Sequence, residues 1–145
     1  MSISAFLNSR WVGRLGMRRL SHVALLGFVT VTFLWLMVQL ISATPMPFLL
    51  FLAFFALAMF QFGLIASNFN SLAMEPLGHV AGTASSVLGF MGTVGGAIIG
   101  AAIGQAFNGS ATPMVAGFFV VSVIGLFFVL IAEKGKLFRS QNPRV

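Results

Sequence analysis

Four apolar stretches separated by short polar segments make up most of the chain, at about residues 21–42, 47–67, 80–106 and 113–132. Each has the length of a helix that crosses a bilayer, which takes roughly 20 predominantly apolar residues. Their polar members are few: Thr30, Thr32 and Gln39 in the first stretch, Gln61 in the second and Ser122 in the last. The pattern predicts an all-α integral membrane protein with four transmembrane helices. Residues 1–9 are mildly apolar, too short to cross, and read as the end of a preceding helix. Residues 10–20 read as a loop, Ala43 to Pro47 as a tight turn, Asn68 to His79 as a polar connection, Phe107 to Thr112 as a second turn, and 133–145 as a tail. The prolines set these boundaries, because proline disfavours helix before it and suits a helix's first turn. A signal peptide also sets basic residues before an apolar run, but that run is only about 7–15 residues, so residues 21–42 read as a retained span.

The third stretch has the most specific pattern. After Gly82, Ser85, Ser86 and Gly89 come Gly92, Gly96, Gly100 and Gly104, one glycine every fourth residue. That spacing lines small residues along one helix face, where backbones approach closely in lipid. It suits first a static packing face, since such patterns are common in membrane spans, and second a helix that slides or bends against its neighbours. Gln61 has two readings as well, a hydrogen bond to a neighbouring helix or contact with a substrate.

Composition supports the membrane reading. The chain is 59% hydrophobic and 7% charged, with a mean hydropathy of +1.04, too little polar surface to cover a globule in water. Its net charge of +6 comes from basic residues confined to the ends: Arg10, Arg14, Arg18 and Arg19 in front, Lys134, Lys136, Arg139 and Arg144 behind. This is the positive-inside pattern, and it predicts that both termini are cytoplasmic. A nucleic-acid partner would need basic and aromatic residues interleaved on one surface, which the pattern does not offer. With no cysteine there is neither thiolate chemistry nor a disulfide. Glu75 and His79 are too few for a closed metal site, and beside Pro76 they are expected to cap and shape the start of the third span. No nucleophile and base stand together, so neither a catalytic residue nor a metal or cofactor is expected. Asn108-Gly-Ser110 matches a glycosylation sequon, a pattern too short to carry weight.

The run Asn70-Ser-Leu-Ala-Met-Glu-Pro-Leu-Gly-His-Val-Ala-Gly-Thr-Ala-Ser-Ser-Val-Leu-Gly89, followed by Gly104-Gln-Ala-Phe-Asn-Gly-Ser110, resembles the final third of the bicyclomycin-resistance (Bcr/CflA) drug:proton antiporters, members of the major facilitator superfamily. Arg14-Leu-Gly-Met-Arg-Arg19 is similar to the superfamily's repeated cytoplasmic loop motif, through Arg14, Gly16, Arg18 and Arg19. This copy has Ser9 where the first glycine and Gly13 where the acid would stand. The resemblance implies that the four spans are helices nine to twelve of a twelve-helix transporter in a bacterial inner membrane. Ten and eleven would then line the cavity and nine and twelve stand outside. It also implies drug-like substrates, the proton gradient as energy source, and the N-terminal eight helices as partner. Gln61, Asn68, Gly89, Gly92 and Gly96 are the candidates nearest the pathway, and Gly92, Gly96, Gly100 and Gly104 the packing set. Proton coupling needs a group that changes charge inside the membrane, and no Asp, Glu, Lys, Arg or His lies deep in a span. The engine is therefore expected outside this chain. The competing reading is a small four-span scaffold or oligomerising protein without transport activity.

Overall fold

A computed structural model describes residues 2–42, 46–135 and 137–138, and among them there is no β-strand. Five helices follow in order: α1 (Ser2–Leu15), α2 (Met17–Ile41), α3 (Phe48–Met74), α4 (Ala81–Gln105) and α5 (Thr112–Ala132). A 3-10 segment, Glu75–Val80, links α3 to α4. Much of the turn expected at 43–47, together with Lys136, Arg139 and Arg144 of the tail, lies outside the described residues.

Two expected loops are helical. Residues 10–20 are helix on both sides of one break at Gly16, whose φ of 78° is the left-handed conformation that glycine adopts without strain. Arginine and leucine are good helix formers, so only the glycine interrupts the segment. The polar connection after residue 67 is also largely helix, because its side chains bond back onto their own helix: Asn68 Nδ2 donates to the Leu64 carbonyl at 2.8 Å and Ser71 Oγ to the Ser67 carbonyl at 3.0 Å. Pro76, which has no N–H to give, then tightens the chain into the 3-10 segment, with Leu77 out of helical geometry at φ −106°, ψ 15°. Glu75 and His79 are exposed and cap nothing, since neither the 3-10 segment nor α4 has a side-chain cap bond. The expectation that they cap the third span is thus corrected.

Three helical runs, not four, are long and apolar enough to cross a membrane: Met17–Ile41, Phe48–Gln105 and Thr112–Ala132. The middle run has 58 residues, about 87 Å if straight at 1.5 Å per residue. It doubles back. Near its start Phe51 packs on Trp35, at the end of α3 Phe69 packs on His22, and near the end of α4 Ile103 meets Gly117, next to Phe118, which again packs on Trp35. Both ends of the run therefore lie at the Trp35 end of α2, and the 3-10 segment lies at the His22 end.

Helix α2 is the centre of the bundle, antiparallel to α3 on one side and α5 on the other. Trp35 is fully buried, stacked on Phe54 at 6.0 Å and meeting Phe51, Phe55 and Phe118 edge-on at 5.2–6.5 Å. These rings attract beyond their contact area, which matters where lipid removes the water-driven term. Thr32 Oγ1 and Ser122 Oγ lie 3.2 Å apart in the buried α2–α5 seam, one donating to the other. A double-mutant cycle on Thr32→Val and Ser122→Ala should return a coupling of about 0.6 kcal/mol, measured by unfolding in detergent. Helix α4 has no buried residue, and Phe90, Met91 and Ile98 are each more than 60% exposed.

Candidate functional site

The expected pathway residues fall into two groups that do not meet within this chain. Gln61, on α3, lays its side-chain amide on the backbone of Gly27 of α2, filling the space that a Cβ there would need. Asn68, two turns further along and 1% exposed, donates through Nδ2 to Asn8 Oδ1 at 2.6 Å, while Asn8 Nδ2 donates to Ser67 Oγ at 3.4 Å. These are joints between helices: Gln61 sets how closely α2 and α3 approach, and Asn68 docks α1 onto α3. Replacing Asn68 with alanine should cost about 1–2 kcal/mol, read as a lower detergent unfolding midpoint, because Asn8 loses its donor in a half-closed crevice.

The second group is the glycine face. A Cβ built at Gly89, Gly92, Gly96, Gly100 or Gly104 would meet nothing within 4 Å. The close approach that these glycines permit is not made to any described residue. Helix α4 touches α5 elsewhere, where Ile103 covers Gly117 so closely that a Cβ there would require Ile103 to shift.

A third group, at the His22 end, was only partly visible in the sequence. Arg14 closes the last turn of α1, Gly16 makes the break, and Arg18 and Arg19 open α2. Arg18 Nη1 lies 3.5 Å from Glu133 Oε2, which follows the last residue of α5. One turn after Arg18, His22 is 1% exposed. Its Nδ1 accepts a hydrogen bond from the Phe138 N–H at 3.2 Å, and Nε2 faces Glu133 Oε1 at 3.8 Å, too long for a hydrogen bond. The Phe138 ring meets the imidazole edge-on at 5.7 Å, and the Phe138 carbonyl accepts from Arg19 Nε at 3.3 Å. The backbone returns to α2 through positive φ at Lys134, Gly135 and Phe138. The Arg18 and His22 spacing of four was readable, but its pairing with Glu133 spans the whole chain and leaves no local signal. His22 sits in the second turn of α2, near its end; its enclosure by protein is what the sequence did not disclose. Trp35 Nε1 and Gln39 Oε1, one turn apart on α2, are likewise buried with no hydrogen-bond partner among the described residues.

Over 132 residues, 90% of this chain, the sequence is 31% identical to an uncharacterized MFS-type transporter, YdgK, of Bacillus subtilis (strain 168). The chain is a partial match to an MFS-type transporter. It spans 32% of that protein's length. No protein-family model and no solved structure matches the chain. Three apolar helical runs and this similarity mark the chain as a multi-pass membrane protein.

Proposed function

We propose that the chain is the last third of a proton-driven drug exporter of the Bcr/CflA kind within the major facilitator superfamily, carrying helices nine to twelve and idle by itself. The observation that supports this best is the empty glycine face of α4: Gly89, Gly92 and Gly96 permit a close backbone approach that no described residue makes. Helices outside this sequence would fill it, in keeping with a match that covers about a third of the relative. The doubled-back middle run then crosses twice, as α3 and α4, giving four crossings with the basic His22 end in the cytoplasm of a bacterial inner membrane. Substrates are small drug-like molecules, moved past the glycine face between two rocking halves. Gln61 and Asn68 serve this reading by fixing α3 against α2 and α1. The drug site and the titrating acid would lie largely in the eight preceding helices.

The test is Gly96→Leu in the complete transporter. Efflux of a fluorescent dye should fall at least tenfold with insertion unchanged, because a leucine holds the facing helices apart. Wild-type efflux would refute a close contact there. The scaffold reading draws on the same exposed face, covered in that case by a second copy of the chain. It predicts a homo-oligomer in cross-linking that Gly96→Leu dissolves, with no transport in any context.

A further inference from the structure

We propose that His22 is a proton-binding site whose occupancy decides whether the segment after α5 stays docked on the bundle. The inference rests on which nitrogen does what, and it holds whether or not the chain belongs to an exporter. Nδ1 accepts the Phe138 N–H, so the lone pair at Nδ1 is in use and the ring's one proton sits on Nε2, facing the Glu133 carboxylate. When a proton arrives it binds at Nδ1, the remaining lone pair. Nδ1 becomes a donor, the Phe138 N–H loses its acceptor, and two N–H groups then point at each other in a half-buried contact. The ring gains a positive charge at the same moment and is drawn to Glu133, in competition with Arg18, which holds the other carboxylate oxygen at 3.5 Å.

Among the described residues, the charged groups around the ring come from two helices. Helix α2 itself supplies Arg18, and Arg19 on the Phe138 carbonyl; the end of α5 supplies Glu133; α3 presents the uncharged ring of Phe69 at 6.3 Å. Glu133 favours the protonated ring and Arg18 opposes it. What remains to hold Phe138 after protonation is the bond from Arg19 and the edge of an imidazolium in place of a neutral ring. Docking therefore weakens as the proton binds.

The test uses the full chain in lipid nanodiscs, with His79→Gln leaving one histidine to observe by nitrogen NMR. The chain has no cysteine, so Leu137→Cys gives a single site for a spin label beside Phe138. As the pH is lowered from about 8, the ring should pass from carrying its proton on Nε2 alone to carrying one on both nitrogens, and label mobility should rise with the same midpoint. His22→Asn keeps an amide oxygen near the place of Nδ1 and does not titrate, so the label should stay restrained throughout. Glu133→Gln should shift the midpoint to lower pH while keeping mobility and ring protonation in step. A neutral ring protonated on Nδ1 would overturn the proposal, and so would label mobility that stays constant while His22 titrates. Release in His22→Asn at the wild-type midpoint would do the same. If His22→Asn does not fold, the first two measurements decide on the unaltered ring.

Discussion

Trp35→Ala should destabilise the bundle by about 3–5 kcal/mol, the largest loss expected of any single substitution in the chain. Its indole has no exposed surface and touches four phenylalanine rings from two helices, Phe51, Phe54 and Phe55 on α3 and Phe118 on α5. In lipid the cost is chiefly lost dispersion and ring contact, because helix association there has little water-driven component. The cavity stays open, since the surrounding rings are held by separate helices and cannot all move inward. Trp35→Phe separates this from a polar role. It keeps an aromatic ring and removes the Nε1 donor that has no partner, so the two effects offset and the change should stay under about 1.5 kcal/mol. Unfolding in mixed micelles measures both. Equal losses from the two variants would mean that Nε1, rather than ring packing, holds the centre.

Gly117→Leu is expected to have the second largest effect, costing about 1–3 kcal/mol from overpacking. Ile103 occupies the place of its Cβ, and this contact is where α4 is held to α5. A leucine at 117 pushes α4 away from the bundle, and a donor and acceptor dye pair on α4 and α5 should report the separation. The contrast with Gly96→Leu is informative. Residue 96 faces nothing within 4 Å, so in the isolated chain its leucine should leave the unfolding midpoint within about 0.5 kcal/mol of wild type. One glycine packs against a described residue, and the other meets none.

The same contrast shows how far the sequence could be read. The helical stretches were legible because their apolar lengths match a bilayer and because Pro47, Pro76 and Pro113 sit at their junctions. The extent of α3 was less so: Asn68 and Ser71 look like loop residues, yet each spends its side chain on its own helix. Residues 10–20 looked like a loop for their charge, and charge says little about helicity when only Gly16 interrupts good helix formers. The span count differed because the 3-10 segment at Pro76 joins α3 to α4 in one uninterrupted helical run. Among the candidate residues, the spacing of Gly92, Gly96, Gly100 and Gly104 fixed a face but not its partner, which no local pattern encodes. Asn68 was singled out for its polarity, and the structure gives that polarity to Asn8. The His22, Glu133 and Phe138 contacts join residues more than 100 positions apart, beyond the reach of any periodicity.

On the proposed function, this chain supplies four helices of an exporter and needs others to work. The direct measurement is dye movement in sealed lipid vesicles containing only this polypeptide, with a pH gradient imposed across the membrane. Dye should be retained as in protein-free vesicles, with or without the gradient, because the buried His22 sits near the end of α2 rather than deep in it and, on the proposed function, one part of a two-halved transporter cannot alternate. Dye efflux that rises with the gradient, and stops when it is collapsed, would contradict it.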